Sequence, residues 1–309
     1  MQNNADGGDA APPLLIDVPK LFSFAQNIGY LTRSSAECMY RVQEGKVYKA
    51  VSVGGNAVVI EVNSDDDGQA LAVRFLRDKD GFEPTIRAET ERYVREWFDL
   101  DRDMTPFYEL AKADPLLRSV VERYSGLRIV GIPDLFEAIA WGIIGQQINL
   151  AFAYTLKRRL VESFGRKTEC GGEPYWLFPE ADTIASLTVE ELLPLRMSVK
   201  KCEYLIHAAR LIADGTLTKQ RLLAAGGLQE AERQLVGIRG IGPWTANYVL
   251  MRCLRMPSAF PIDDVGLHNA VKHALNLDRK PTKAELLQLA EGWRGWEAYA
   301  TFYLWRLLY

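Results

Sequence analysis

A run of three glycines between two helical segments constrains the fold of this chain more than any other feature. Residues 229–236 have helical composition, and Gly237-Ile-Arg-Gly-Ile-Gly242 then interrupts the pattern with three residues that can adopt positive φ. Pro243 follows at the position that proline favours in the first turn of a new helix. The sequence therefore predicts a helix, a tight hairpin and a second helix over residues 243–256.

The predicted hairpin lies at a helix N-terminus, where backbone N–H groups have no partner within the helix. These donors and the helix dipole together favour a phosphate oxygen. Such a contact positions a nucleic-acid strand without reading its bases. The residues expected to take part are Gly240, Ile241, Gly242, Pro243 and Trp244.

The second helix divides its faces in an unusual way. Its expected core stripe has i, i+3, i+4, i+7 spacing and consists of Ala246, Val249, Leu250 and Cys253. Trp244 and Tyr248 lie roughly opposite the start of that stripe, at about 100° per residue. Two interpretations stay open from the pattern alone. The rings form either a second packed layer or a cleft wall on which a planar base stacks.

Two carboxylates follow the second helix. Phe260-Pro-Ile-Asp-Asp264 precedes residues 265–275, which have a helical pattern, and aspartate is a preferred N-cap residue. Either Asp263 or Asp264 could therefore cap this helix, and capping alone could explain both. The N-terminus of a helix also favours the negative charge of a carboxylate.

The order of helix, Gly-x-Gly hairpin, helix and Pro-x-Asp-Asp resembles the helix-hairpin-helix (HhH-GPD) superfamily of DNA glycosylases. The similarity is closest to the bacterial 3-methyladenine DNA glycosylases II of the AlkA type. It covers residues 20–309, weakly at first and strongly after Arg128. Besides the hairpin, it rests on Leu127-Arg-Ile-Val-Gly-Ile-Pro-Asp134, Ile143-Ile-Gly-Gln-Gln147, Leu195-Arg-Met197 with Lys200 and Lys201, and the segment from Trp296 to Trp305.

The resemblance implies hydrolysis of the N-glycosidic bond of a damaged purine in double-stranded DNA. Asp264 stands at the position of the family's catalytic aspartate, and a fixed carboxylate there can stabilise an oxocarbenium-like state and orient water. Trp244, Tyr248 and Trp305 correspond to the walls of the pocket for the flipped base, although Trp305 could instead pack in the core with Phe302 and Leu308. The expected bases are 3-methyladenine and 7-methylguanine, with hypoxanthine and ethenoadenine also fitting such a pocket.

Departures from related families narrow the reaction type. Bifunctional relatives carry a Schiff-base lysine two residues after the second hairpin glycine, whereas this chain has Trp244 there. A monofunctional enzyme is therefore expected. Adenine glycosylases carry a glutamate four residues before the first glutamine of a Gln-Gln pair, and this chain has Gly142 at that place.

The resemblance also suggests two further DNA contacts. Gln147 occupies the place of a leucine that inserts into the duplex, and a polar residue there could hydrogen-bond the widowed base; alternatively it is a solvated glutamine at a helix end. In similar hairpins a monovalent cation, Na⁺ or K⁺, is bound by backbone carbonyls, here those of Val236, Ile238 and Ile241. No other cofactor is expected.

Cysteine and histidine positions give no sign of a metal centre. Many relatives carry an iron–sulfur cluster on four closely spaced cysteines, but Cys38, Cys170, Cys202 and Cys253 are scattered singly. No cluster is therefore expected, and these residues are interpreted as reduced thiols of a cytoplasmic, nucleoid-associated protein. No histidine is assigned a catalytic role.

Patterning along the chain predicts an α+β fold. Residues 1–13 have a disordered composition, 14–114 are interpreted as an antiparallel sheet domain with trailing helices, and 115–309 as an all-α HhH-GPD core. The predicted strands are 40–42, 46–53, 57–62 and 70–76, and almost everything from Thr90 onward has a helical pattern.

Charge and hydropathy limit the partners. No apolar run approaches 18 residues, so no membrane span is expected, and a monomer is the expected state. The whole chain has a net charge of −3, but residues 115–309 contain 24 Lys and Arg against 20 Asp and Glu, a net of +4. Affinity for undamaged DNA should accordingly be modest and sensitive to salt.

Three alternatives remain at this point. An 8-oxoguanine-type glycosylase would share the hairpin and the aspartate. A catalytically silent helix-hairpin-helix protein would only bind DNA, but a module that relied on charge alone should be more basic. A helical adaptor for protein partners has no feature in its favour. Release of bases from damaged DNA by the purified protein separates these classes.

Overall fold

A computed structural model describes residues 12–76 and 83–309. Within these residues the strands are β1 Leu14–Asp17, β2 Arg41–Gln43, β3 Lys46–Val53, β4 Asn56–Ser64, β5 Ala70–Phe75, β6 Arg166–Cys170 and β7 Glu173–Leu177. The first eight helices are α1 Phe24–Leu31, α2 Pro84–Trp97, α3 Thr105–Ala113, α4 Leu117–Arg123, α5 Leu135–Gly145, α6 Leu150–Phe164, α7 Ala181–Ala185 and α8 Val189–Leu192. They are followed by α9 Val199–Ala213, α10 Lys219–Leu223, α11 Leu228–Val236, α12 Pro243–Arg252, α13 Val265–Ala274, α14 Lys283–Ala290 and α15 Glu297–Trp305.

The N-terminal strands form one antiparallel sheet in the order β1-β5-β4-β3-β2. Two-residue turns join β2 to β3 and β3 to β4, because Glu44 and Gly45, and likewise Gly54 and Gly55, adopt positive φ and so match the twist of a hairpin. The predicted meander is confirmed. Strand β1 was not predicted, since its four residues LLID are too short for the alternation of apolar and polar residues to stand out.

The sheet buries both faces. Alternate residues such as Val51, Ile60 and Val73 join the main core, whereas Ala50 and Val59 pack against Tyr175 and Leu177 of β7 in a second, smaller cluster. The β6–β7 hairpin that supplies this cover lies between α6 and α7.

This hairpin corrects the expectation of an entirely helical second part. The segment turns at two glycines with positive φ, Gly171 and Gly172. Its strands become stable by packing on the distant sheet, which no local pattern reports.

Helices α5 and α12 pack closely at the centre of the helical part. Every residue from Leu135 to Ile144 is buried, and a Cβ atom on Gly142 would lie 2.6 Å from the Cγ2 methyl of Thr245 on α12. Glycine at 142 therefore permits the close approach of the two helices. A glutamate there, as in the adenine glycosylases, could not be accommodated without moving α12.

Several predicted boundaries shift in the structure. Helix α12 ends at Arg252 rather than 256, α13 ends at Ala274, and α5 ends at Gly145, before the Gln-Gln pair. The predicted disordered segment lies outside the described residues, except for Pro12 and Pro13 just before β1. The boundary near residue 114 remains a prediction. Among the described residues, no helix combines the length and hydropathy needed to cross a membrane.

Candidate active site

The glycine-rich hairpin joins α11 to α12 as predicted, but only one of its glycines needs positive φ. Gly240 has φ of 97°, whereas Gly237 has −65° and Gly242 has −89°. Of the three glycines that can adopt positive φ, only Gly240 therefore does so. Gly240 is constrained twice, because a Cβ atom there would also collide with the Tyr204 ring, while a Cβ on Gly242 would meet nothing within 4 Å.

Three N–H groups of the hairpin remain available for a phosphate. Those of Gly240, Gly242 and Trp244 have no hydrogen-bond partner among the described residues. Two of the five expected residues do not provide a free donor, since the Ile241 N–H donates to the Ile238 carbonyl at 3.0 Å and Pro243 has no N–H. The anion site is thus smaller than the sequence suggested, but it lies at the same helix N-terminus.

Gln146 fixes the hairpin against α5. Its Nε2 donates to the Gly240 carbonyl at 2.9 Å and to the Thr245 hydroxyl at 3.1 Å. The Arg239 side chain points elsewhere, to an exposed ion pair with Glu203 at 2.6 Å. The first glutamine of the pair therefore positions the hairpin backbone, which the spacing alone did not reveal.

The carbonyls proposed for a monovalent cation differ in availability. Those of Val236 and Ile241 accept no hydrogen bond from the described residues, whereas that of Ile238 already accepts one from Ile241. Val236 is the last residue of α11, where the helix dipole is negative and free carbonyls favour a cation. The backbone present fits a cation at this helix end.

The Asp264 carboxylate is held by three neutral donors. Its Oδ1 accepts hydrogen bonds from the Trp305 indole N–H at 2.8 Å and the Leu267 backbone N–H at 2.7 Å. Its Oδ2 accepts one from the Trp244 indole N–H at 3.0 Å. The close approach of Trp305 needs Gly266, because a Cβ there would lie 2.9 Å from Asp264 Oδ1 and 3.2 Å from the indole nitrogen.

Asp264, and not its neighbour, is the N-cap of α13. Asp264 therefore caps α13 and also accepts hydrogen bonds from the two indoles. The capping and the active-site interpretations of the sequence thus apply to the same residue. Asp263 is exposed and forms an ion pair with Lys283 at 2.9 Å. The suggestion that Asp263 could be the cap is wrong.

Three aromatic rings form a row beside Asp264. The ring of Tyr248 lies 5.7 Å from that of Trp244 and 6.4 Å from that of Trp305, with interplanar angles of 30° and 34°. Tyr248 and Trp305 are buried, and Trp244 is partly exposed. The ring centre of Trp305 also lies 6.0 Å from that of Phe302, so Trp305 belongs both to the core and to the row.

The aromatic row lines a cavity of about 700 Å³ that is large enough for a purine. Asp264 and Gln147 line it as well. Asp264 therefore faces an open space between the hairpin and the end of α15.

Lining residues that were missed in the sequence include Tyr30, Arg33 and Arg252. Tyr30 and Arg33 come from α1 and the residues just after it, and Arg252 is the last residue of α12. The N-terminal part of the chain thus contributes directly to the cavity. A signal for Arg252 was present, because Tyr248 and Arg252 share a helix face at i, i+4 spacing; for Tyr30 and Arg33 only the tertiary structure brings the elements together.

Gln147 lies at the rim of the cavity. It is exposed, it lies beyond the end of α5 and it adopts a φ of 57°, which is uncommon for a residue with a side chain. The sequence suggested a glutamine at the end of a helix, but Gln147 lies outside α5. A strained, exposed residue at a cavity mouth is compatible with insertion into a duplex.

His268, a titratable residue near the site, makes structural contacts. The His268 ring lies between the carbonyls of Ile262 and Pro281, at 2.9 and 2.8 Å, and holds the loop that precedes Asp264. Within residues 12–76 and 83–309, no three His, Cys, Asp or Glu side chains are arranged to bind a metal ion.

Comparison with known proteins gives matches over both parts of the chain. The sequence model of the HhH-GPD superfamily base excision DNA repair protein matches residues 140–295, and that of the 8-oxoguanine DNA glycosylase N-terminal domain matches residues 25–139. The chain is 51% identical over 296 residues to a DNA-3-methyladenine glycosylase of Bacillus subtilis, covering 96% of this chain and 97% of the relative.

Two more distant proteins are also similar to this chain, one in sequence and one in fold. DNA-3-methyladenine glycosylase 2 of Escherichia coli is 32% identical over 290 residues, covering 92% of this chain and 93% of the relative. The solved structure of a 3-methyladenine DNA glycosylase from Archaeoglobus fulgidus superposes with a TM-score of 0.80 at 24% identity, covering 94% and 97% of the two chains, and so shares the fold. The chain therefore belongs to the HhH-GPD superfamily of base excision DNA repair proteins.

Proposed function

We propose that this protein is a monofunctional DNA glycosylase that hydrolyses the N-glycosidic bond of alkylated purines in double-stranded DNA. Its bases would be 3-methyladenine and 7-methylguanine, with hypoxanthine and ethenoadenine as further candidates, and it would act as a monomer. One observation carries the proposal. Asp264 faces a cavity of about 700 Å³ with its carboxylate oriented by three neutral donors, next to a helix N-terminus with free N–H groups.

The relatives support this substrate class. The Bacillus subtilis and Escherichia coli proteins that are 51% and 32% identical to this chain are both named as DNA-3-methyladenine glycosylases. An alkylated ring nitrogen gives the base a positive charge, which weakens the glycosidic bond and favours contact with electron-rich aromatic faces. The row of Trp244, Tyr248 and Trp305 offers such faces.

Duplex DNA would bind with one phosphate at the hairpin. The N–H groups of Gly240, Gly242 and Trp244 would contact a phosphate oxygen, and the damaged nucleotide would rotate out of the stack into the cavity. Gln147 at the rim would occupy the gap that the base leaves. The carbonyls near Val236 would hold a monovalent cation, which would add positive charge next to the same phosphate.

The two oxygens of Asp264 would have different roles. Oδ1 accepts two hydrogen bonds, whereas Oδ2 accepts one and keeps a lone pair for a water molecule or the sugar. Because its donors are neutral, the carboxylate keeps its negative charge for the sugar as the base leaves. Water then bonds to the anomeric carbon, the electron pair of the broken bond stays with the base, and the proton of the water passes through Asp264 to solvent.

A lyase step through a Schiff base is not expected. The position that carries lysine in bifunctional relatives is Trp244, whose N–H is engaged by Asp264. The described residues that line the cavity include no lysine. Incubation with damaged DNA and borohydride should accordingly trap no covalent complex.

The test is base release by the purified protein, measured by mass spectrometry on alkylated duplex DNA. Asp264→Asn should lower the single-turnover rate by about 10²–10⁴-fold while retaining affinity for an abasic-site mimic. Asp263→Asn is the matched control, because the neighbouring carboxylate is exposed and paired with Lys283. Its rate should remain within a few-fold of the parent.

Two results would contradict the proposal. If the parent protein releases no base from alkylated DNA, the function is wrong; if Asp264→Asn retains the parent rate, the catalytic assignment is wrong. A duplex containing 8-oxoguanine belongs in the same assay, because residues 25–139 match the N-terminal domain named after that glycosylase. Release of 8-oxoguanine in preference to alkylated bases would favour that alternative.

A further inference from the structure

Side chains of both charges line the cavity. The acidic ones are Asp263 and Asp264, and the basic ones are Arg33 and Arg252. The two arginines, together with Trp141 and Tyr248, also line a smaller cavity of about 30 Å³ behind them. That smaller cavity has four basic and two acidic side chains around it: Arg33, Lys49, Lys157, Arg252, Glu37 and Glu137. Basic side chains therefore outnumber acidic ones around the smaller cavity, which shares Arg33 and Arg252 with the larger one.

Arg252 uses three of its five N–H donors on fixed partners, two of which are tyrosine hydroxyls. Its Nε donates to the Val130 carbonyl at 2.8 Å, and its Nη1 donates to the hydroxyl oxygens of Tyr30 and Tyr248, both at 2.9 Å. The residue is only 4% exposed. Arg252 accordingly serves as a fixed support for the aromatic row.

Arg33 differs, because most of its donors are unused. Its Nη1 donates to the Tyr30 carbonyl at 3.1 Å and the Tyr40 hydroxyl at 3.4 Å, and the guanidinium stacks 4.0 Å from the Tyr30 ring centre. The Nε and Nη2 groups make no hydrogen bond to the described residues and are not among the buried atoms without partners. An arginine carries five N–H donors, so three have no partner among the described residues, on a side chain that lines the cavity.

This arrangement matches the movement of charge during glycosidic cleavage. The sugar becomes positive near Asp264, and the bonding electrons move onto the base. A cationic N-alkylated purine leaves as a neutral molecule, whereas a neutral purine leaves with a negative charge unless it is protonated. A fixed guanidinium therefore stabilises the departure of a neutral base more, and it repels a cationic base before cleavage.

We propose that Arg33 is a specificity-determining residue that donates hydrogen bonds to the acceptor edge of a flipped, neutral oxopurine, such as hypoxanthine. This rests on the proposed glycosylase function. The bond between the anomeric carbon and the purine nitrogen breaks, its electron pair spreads over the ring and the oxo group, and Arg33 stabilises that charge without losing its proton. Solvent then protonates the released base.

The experiment compares two substrates under single-turnover conditions: a duplex with one hypoxanthine and methylated DNA that releases 3-methyladenine. Arg33→Met should lower hypoxanthine release by about 10–100-fold, the range for losing a hydrogen bond to a charged group. Release of 3-methyladenine should change less than about threefold, because this base does not depend on the guanidinium. Arg33→Lys should restore part of the hypoxanthine rate.

Arg306→Met is the matched control. Arg306 is a buried arginine that, like Arg33, contacts α1, through a hydrogen bond from Nη1 to the Gly29 carbonyl at 3.1 Å, but it does not line the cavity. Loss of this side chain should change the release rates of hypoxanthine and 3-methyladenine by the same factor. Melting temperatures identify any variant that fails to fold, and Arg33→Lys then provides the decisive comparison.

The outcomes separate the two proposals. Equal losses on both substrates with Arg33→Met, or unchanged hypoxanthine release in a folded variant, would overturn the role of Arg33. The same conclusion follows if the parent releases 3-methyladenine but not hypoxanthine, and the glycosylase function would then stand. If the parent releases neither base, the proposed function itself fails.

Discussion

Carboxylates occur in two regions near the aromatic cavity, and they accept hydrogen bonds from different kinds of donor. One region contains Asp264, and the other contains Glu37 and Glu137. Asp264 accepts hydrogen bonds from two indoles and one backbone N–H. Glu37 and Glu137 instead contact the ammonium of Lys157, at 3.2 and 3.1 Å. The Lys157, Glu37 and Glu137 side chains are 6%, 6% and 11% exposed, so this second group, the Lys157 cluster, is nearly sealed.

The difference shows how one kind of side chain serves two purposes. Neutral donors orient a carboxylate but leave its charge uncompensated, so that the charge remains available to a cationic sugar. A buried ammonium offsets part of the negative charge of its two carboxylate partners, while its removal leaves both acids in a medium that solvates them poorly. On the proposed function, the cavity wall serves the chemistry, whereas the Lys157 cluster joins α5 and α6 to the segment between α1 and β2.

Removal of the central cation should give the largest effect on stability. Lys157→Met leaves Glu37 and Glu137 buried without their partner, which typically costs about 3–5 kcal/mol. Chemical denaturation should detect this loss, whereas the single-turnover rate of the folded fraction should stay close to that of the parent. A variant that is stable but slow in base release would contradict the separation between the two regions.

The Lys157 cluster should also contribute to acid sensitivity. Burial by itself raises the pKa of Glu37, but Lys157 and the Met39 backbone N–H outweigh it and lower the pKa from 4.5 to about 2. The stabilisation is therefore complete above pH 4.5 and is lost as pH falls towards 2, an effect of about 3 kcal/mol. Glu37→Gln should flatten the stability profile over this range; parallel profiles for parent and variant would refute the idea.

Substitution of Trp244 tests how neutral donors act on Asp264. Trp244→Phe keeps a ring but loses the N–H bound to Asp264 Oδ2, and hydrogen bonds to charged groups contribute about 1.5–3 kcal/mol. All substrates should slow by a similar factor. Trp244→Ala also removes the ring, and its additional loss should be larger for a cationic base than for hypoxanthine. Equal additional losses on both, or a matching fall in melting temperature, would favour a packing role.

The smallest effect is expected at the cavity rim. Gln147 is exposed, so Gln147→Ala should leave the melting temperature unchanged, unlike substitutions in the Lys157 cluster. Affinity for a duplex with an abasic mimic should fall about tenfold, equivalent to ~1.4 kcal/mol. Unchanged affinity for both duplex and single-stranded DNA would remove Gln147 from the interface.

The local patterns determined much of this protein. Glycines and a proline at 237–243 were enough to predict the hairpin, and alternation with turn residues predicted strands β2 to β5. These features could be predicted because turn geometry and periodicity depend on residues close in the chain. The choice of Asp264 over Asp263 came instead from the resemblance to the HhH-GPD superfamily.

Tertiary structure decided the surroundings of that carboxylate. The indole N–H of Trp305 reaches Asp264 across 41 positions, and Arg33 enters the cavity from the N-terminal part of the chain. The β6–β7 hairpin likewise forms against a sheet more than 100 residues away. Such contacts depend on how helices and sheet pack in space, and no periodicity along the chain encodes which donors will meet a given carboxylate.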